Sequence, residues 1–149
     1  AKQWPTFHYA SLADYFLQSG WQVLILGSKA DISTADEIVS LSRDKSDNLI
    51  SLAGQTQLEE AIDLLGTADY VVSNDSGLMH IAAALQVPLV VVYGPTSPEF
   101  TPPLANNANI IQIDIGCSPC FKRTCPLGHH NCMKQLSVET VIEQIKTTK

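Results

Sequence analysis

Residues 70–86 confine this chain to a small set of folds. Tyr70, Val71 and Val72 form a short apolar, β-branched run, which predicts a parallel strand covered on both faces. Ser73-Asn74-Asp75-Ser76-Gly77 breaks the run, and Leu78-Met79-His80-Ile81-Ala82-Ala83-Ala84-Leu85 reads as a helix. Asp75 and Ser76 stand where a helix cap stands, and Gly77 lets a ligand approach the backbone with no Cβ in the way. The first turn of such a helix offers unpaired N–H groups and the positive end of a dipole, which suits a phosphate. His80, three residues past Gly77, can reach back over the same turn. An acid, an open helix N-terminus and an imidazole are thus expected at the carboxyl end of a parallel strand, where open α/β sheets bind ligands.

The rest of the chain alternates in the same way. Residues 8–19 read as a helix, with Leu12, Tyr15, Phe16 and Ser19 at helical spacing and Gly20 as its stop. Gln22 to Gly27 reads as a strand. Thr34 with Glu37 predicts a capping box for a helix burying Ala35, Ile38 and Val39. Asn48 to Ala53 is a weaker strand ending at Gly54, and Thr56 with Glu59 predicts a second box, before the stripe Leu58, Ala61, Ile62 and Leu65. Pro88 opens the strand Leu89-Val90-Val91-Val92-Tyr93, Ile110 to Ile113 is a last short strand, and Ser137 caps a helix carrying Val138, Val141, Ile142 and Ile145. Strands alternating with helices at crossover spacing predict an α/β fold with a Rossmann-like, doubly wound parallel sheet.

A length of 149 residues fits one domain, 1–149, with a real core. The net charge of −6, with no basic cluster beyond Lys122-Arg123, argues against a nucleic-acid partner, which would need a basic face. No apolar run approaches the roughly 20 residues that span a bilayer, so no transmembrane segment is expected. The start, Ala1-Lys2-Gln3-Trp4-Pro5, has neither an initiator Met nor a signal-peptide layout, and the chain reads as a piece of something longer.

Asn74-Asp75-Ser76-Gly77-Leu78-Met79-His80, with Gly94-Pro95-Thr96-Ser97-Pro98 after it, resembles the lipopolysaccharide heptosyltransferases of glycosyltransferase family 9, the heptosyltransferase II type most closely. The likeness runs from Lys2-Gln3-Trp4-Pro5 to the final helix. It implies the C-terminal, nucleotide-sugar half of a two-domain GT-B glycosyltransferase. In the resembled family a strand and a Gly-rich loop precede the Lys-Gln-Trp-Pro position. The expected sheet therefore lacks its first strand, which the usual 3-2-1-4-5 order places in the middle.

The resemblance also implies roles for single residues. Asp75 and His80 would contact the sugar, and Gly77 would lie against the diphosphate. Taken alone, Asp75 is equally a plain cap, and Ser76 reads as the cap more than as a ligand. Lys2 would meet the diphosphate and help neutralise the leaving group; its alternative is a solvated terminal Lys. Lys29 stands near the family's ribose position, where the heptosyltransferase I type has an acidic residue, and Thr56 where backbone meets the adenine. Thr96 either touches the diphosphate or shapes a Pro-rich turn. His8 reads as an ordinary surface or half-buried residue. No catalytic base is expected within these residues: inverting transfer needs one, and the architecture places it in the N-terminal domain.

One motif stands apart. Cys117, Cys120, Cys125 and Cys132 form C-x2-C-x4-C-x6-C within a Cys-rich loop at 116–134, with His129 and His130 before the last Cys. The C-x2-C turn suits a tetrahedral zinc held by the four thiolates; the alternative is four reduced thiols in a folded loop. Such a zinc would be structural, because four protein ligands leave no open position, and no cofactor is expected for catalysis.

The expected function is binding of ADP-heptose for heptose transfer to the lipopolysaccharide inner core. The acceptor would be held by the other domain, and this chain alone is expected to be inactive. The expected location is cytoplasmic, peripheral at the inner face of the inner membrane. Two alternatives stay open: a transferase half for another nucleotide-sugar, and a non-catalytic metal-binding module. Residue spacing alone gives only an anionic ligand at a helix N-terminus.

Overall fold

The computed structural model describes residues 4–43, 47–74, 77–93, 108–112 and 131–147. The chain divides into two units: Pro5–Ala61, and Ala1–Trp4 with Ile62–Lys149. The division falls inside one helix, Leu58–Thr67.

The smaller unit opens with α1, Thr6–Gln18, followed by β1, Val23–Ile25, then α2, Ile32–Leu41, and β2, Leu49–Ser51. The two strands pair in parallel, Leu24 opposite Ile50. Helix α1 starts earlier than its apolar pattern suggests, because Pro5 presets the backbone and its carbonyl takes the amides of His8 and Tyr9. It buries Ala10, Leu12, Ala13 and Leu17, whereas Tyr15 and Phe16 stay half-buried and Ser19 is exposed. The buried face is thus rotated from the expected stripe, since small alanines permit closer packing than the aromatic rings.

The Asp14 carboxylate joins α1 to the end of α2. It accepts a hydrogen bond from the buried Ser42 hydroxyl and another, at 3.0 Å, from the Arg43 amide. Both donors lie just past the last turn of α2, so one side chain ends one helix and fixes its neighbour.

Two capping boxes differ from expectation. The first is formed by Ser28 and Asp31: Asp31 Oδ2 accepts from the Ser28 amide at 2.8 Å and its hydroxyl at 3.0 Å. A single 3-10 turn, Lys29–Asp31, then runs into α2, which leaves Thr34 inside the helix. The second begins α3, Leu58–Thr67, where the Gln57 amide donates to Glu60 Oε1 at 3.0 Å. This is one residue later than the Thr56–Glu59 pairing, so Thr56 precedes the cap. Ala61 and Leu65 are buried as expected, but Leu58 is exposed.

The larger unit carries β3, Val71–Asn74; α4, Gly77–Ala84; β4, Leu89–Val92; β5, Ala108–Ile111; α5, Asn131–Lys134; and α6, Val138–Thr147. Its three strands are parallel in the order β3-β4-β5, with Asn74, Val92 and Ile111 level at their carboxyl ends. Strand β4 is wholly buried, while β3 is only half-buried, contrary to the expectation of a strand covered on both faces. The reason is position: among the described residues β4 is paired on both sides and β3 on one. Ser137 caps α6 as expected, its hydroxyl accepting the Thr140 amide at 3.3 Å, and Val141 and Ile145 are buried. The single turn α5 has no precedent in the periodicity, being too short to show one.

The fold is therefore α/β with parallel sheets, as the sequence leads one to expect. Among the described residues the pairing forms two sheets, β1-β2 and β3-β4-β5. No helix among the described residues is long and apolar enough to cross a membrane.

Replacing Asp14 with Ala leaves the buried Ser42 hydroxyl and the Arg43 amide without their acceptor. The expected loss is about 1–3 kcal/mol of stability, read as a lower urea midpoint at unchanged slope.

Candidate sugar-nucleotide site

Strand β3 delivers the candidate turn to the carboxyl edge of the larger sheet, and α4 begins directly after it. Gly77 is the first residue of α4 and is exposed. A Cβ built on it would meet nothing within 4 Å, and its backbone is not in the left-handed region. Glycine is therefore not required there for chain geometry, and among the described residues nothing crowds the position of that Cβ. His80, one turn into α4, is exposed as well, while Met79, Ala82 and Ala83 bury the other side. Helix α4 thus exposes Gly77 and His80 while its apolar side is packed.

Asp75 and Ser76 lie outside the described residues, as do Lys2, Thr96, Cys117, Cys120 and Cys125. Cys132 belongs to α5. Among the described residues no three His, Cys, Asp or Glu side chains come together as metal ligands.

Lys29 and Thr56 belong to the smaller unit, where the loops after β1 and β2 meet. The Gly54 amide donates to the Gly27 carbonyl at 2.9 Å. Gly54 has φ of +72°, and a Cβ there would come within 2.7 Å of Ile32 Cδ1 and 3.3 Å of the Lys29 backbone. The structure thus brings the Lys29 turn against the loop that leads, two residues later, to Thr56. Lys29 is exposed and Thr56 half-buried. Gly77 and His80 form one group and Lys29 and Thr56 another, each within its own unit.

Three residues take a larger part than the sequence suggests. Gly54 was legible only as a strand end, although a glycine directly after a strand is the usual signal of close backbone approach. Trp4 and Asn74 are joined by a hydrogen bond across 70 residues, which no local pattern encodes. Burial pushes the Tyr9 phenol above its ordinary range.

Gly77 separates binding from folding. Gly77→Ala should stabilise α4 slightly, by at most about 0.5–1 kcal/mol, the helix-interior value, yet, if the head of α4 holds a diphosphate, weaken ADP binding by placing a methyl group before it. Gly77→Val should weaken it further. Thermal melts and calorimetric ADP titrations of the same variants would reveal the opposite signs.

The profile of glycosyltransferase family 9 (heptosyltransferase) matches residues 1–131. Lipopolysaccharide heptosyltransferase 2 of Salmonella typhimurium is 41% identical over 146 residues, covering 97% of this chain and 42% of that protein. Lipooligosaccharide heptosyltransferase 2 of Haemophilus ducreyi is 43% identical over 149 residues, covering 97% and 43%. Among solved structures, ADP-heptose lps heptosyltransferase II of E. coli superposes with a TM-score of 0.87 at 39% identity, over 99% of this chain and 42% of that one. The E. coli heptosyltransferase WaaC with ADP gives 0.79 at 26% identity, over 99% and 40%. The chain thus spans about 42% of the length of such relatives. With its parallel α/β fold and this match over most of its length, the chain belongs to glycosyltransferase family 9, the heptosyltransferases.

Proposed function

We propose that this chain is the nucleotide-sugar-binding part of an ADP-heptose:lipopolysaccharide heptosyltransferase of the GT-B architecture. The observation that carries the reading is its similarity to heptosyltransferase 2 proteins over nearly its whole length. The exposed head of α4 supports it chemically. In this reading the first-turn N–H groups take the diphosphate, Gly77 puts no side chain in the way, and His80 with Asp75 meets sugar hydroxyls. A carboxylate beside a diphosphate repels it, so Asp75 serves the sugar and not the phosphates. Lys2 and Thr96 complete the diphosphate contacts, Ser76 caps α4, and Lys29 and Thr56 serve the nucleoside end.

The chemistry is displacement at the anomeric carbon, with diphosphate leaving and the acceptor hydroxyl losing its proton. Stabilising the departing anion is the task of the α4 head and Lys2. The proton is taken by a base in the other domain of the architecture, which also holds the inner-core acceptor. Enzymes of this kind would work in the cytoplasm at the inner face of the inner membrane.

Titration calorimetry with ADP-heptose, ADP-glucose and UDP-glucose tests the donor. ADP-heptose should bind most tightly, and Asp75→Ala should weaken it by about tenfold or more, as loss of hydrogen bonds to a charged group does, while ADP binding changes little. Equal losses for both ligands would make Asp75 a helix cap. Preference for UDP-glucose would assign another donor.

The four Cys are proposed to hold a structural zinc through Cys117, Cys120, Cys125 and Cys132, with His129 or His130 as substitutes. The soft donor set and the C-x2-C spacing support this. Elemental analysis of protein purified without chelator should find about one zinc per chain, lost in Cys120→Ser. Metal-free protein with four titrating thiols would refute it.

A further inference from the structure

The pairing of β1 with β2 runs past the ends of both strands. The Leu52 amide donates to the Ile25 carbonyl and the Gly54 amide to the Gly27 carbonyl, each at 2.9 Å. These bonds keep the two-residue step of a parallel ladder, so the two loops leave the sheet side by side. Among the described residues Gly27 and Gly54 form its final rung. The chain after β2 turns at once: the Gln55 amide donates to the Leu52 carbonyl at 3.0 Å, and Gly54, third residue of that turn, has φ of +72°. A type II turn has a positive φ at that place, which glycine takes at no steric cost.

Both members of the rung are glycines, and one piece of chain fills the space where their side chains would be. A Cβ on Gly27 would come within 2.8 Å of the Asp31 Cβ, and one on Gly54 within 2.7 Å of Ile32 Cδ1 and 3.3 Å of the Lys29 Cα. Ile32 is 41% exposed, so the end of its side chain can swing aside, whereas the Lys29 Cα moves only with its backbone. The 3-10 turn Lys29–Asp31 is thus seated directly on the rung, and the Ser28–Asp31 bonds lock its shape. This seat fixes where the Lys29 backbone stands relative to the loop that reaches Thr56.

We propose that Gly54 is a positioning residue for the nucleoside end of the ligand: by its positive φ and its missing side chain it holds the Lys29 turn and the Thr56 loop in the one arrangement that a nucleoside meets. The inference rests on the reading above, which places Lys29 and Thr56 at that end. Its physical basis is pre-organisation, since backbone already ordered in the free chain adds no ordering penalty on binding. An alanine at 54 is disfavoured at φ of +72° and presses on the Lys29 backbone, so the free loops relax into other arrangements. The ligand then finds only a competent fraction, and the apparent affinity falls by that fraction. No atom of Gly54 has to touch the ligand.

The test titrates ADP and inorganic pyrophosphate into the chain and its variants, at a temperature where urea melts show each variant fully folded. The unaltered chain should bind ADP more tightly than pyrophosphate, and Lys29→Ala should weaken ADP several-fold. Gly54→Ala should weaken ADP on the order of tenfold, the size of a left-handed backbone penalty carried into binding, and leave pyrophosphate, which has no nucleoside, unchanged. Gly54→Asn, which tolerates the left-handed region, should lose less than Gly54→Ala and replaces it if that variant does not fold. Combined with Lys29→Ala, the Gly54→Ala loss should fall short of multiplying, because one acts through the other. If ADP binds no more tightly than pyrophosphate, or Lys29→Ala leaves ADP affinity unchanged, the nucleoside reading fails and this inference fails with it. If Lys29→Ala weakens ADP but the folded Gly54 variants bind it as the unaltered chain does, or weaken pyrophosphate equally, positioning by Gly54 is overturned while Lys29 keeps its role.

Discussion

Strand β4 is the part of the larger unit on which the rest depends. Leu89, Val90, Val91 and Val92 expose no surface, and each is paired in parallel on both sides. Burying side chains of this size contributes about 1.5–3 kcal/mol each, so four in a row commit the chain to one register. That register matters because strand side chains alternate between faces: a slip of one residue would turn Val71 and Val72 inside out against β4. It would also displace the carboxyl end of β3 by one residue, and with it the head of α4. Helices α4 and α6 both pack against β4. The apolar core thus determines where Gly77 and His80 are presented, although neither is buried.

The smaller unit achieves definition by different means. Its strands are three residues long and incompletely covered, with Leu24 exposed in the middle of β1. Polar contacts at helix ends do much of the specifying: Asp14 on Ser42 and Arg43, Asp31 on Ser28, Glu60 on Gln57. Asp31 and Glu60 satisfy amides at helix starts, which a helix cannot satisfy itself, and Asp14 holds the chain just past the end of α2. At the carboxyl ends of β1 and β2, close backbone approach at Gly54 draws two loops together. Such a unit is ordered by its loops as much as by its core.

The sequence announced the strands and helices because apolar periodicity reports burial directly. Unbroken β-branched runs do so best: Leu89-Val90-Val91-Val92 lies where its pattern says. Helix starts were less legible. Thr34 with Glu37 and Thr56 with Glu59 both match a capping box, but a two-residue spacing match is weak evidence, and neighbouring residues made the actual bonds. The rotated face of α1 has the same origin, since Ala10 and Ala13 carry little hydrophobic signal yet pack closely. The head of α4 was legible because Gly and an apolar run stand on either side of its start. The Trp4–Asn74–Leu136 junction was not, because hydrogen bonds spanning 70 and 132 residues leave no trace in local spacing.

A chain of net charge −6 that is proposed to hold a diphosphate must make its attraction local. Salt helps, since at physiological ionic strength the Debye length of about 8 Å hides remote carboxylates. Within that distance the helix dipole supplies only about 0.3–1 kcal/mol at an exposed end. Backbone amides add directional hydrogen bonds, but only when nothing stands in front of them, which is the condition that Gly77 meets. A lysine supplies the remaining charge, and an unconstrained lysine supplies it poorly. Affinity in such a site therefore depends less on how many cations the chain carries than on how rigidly one is anchored.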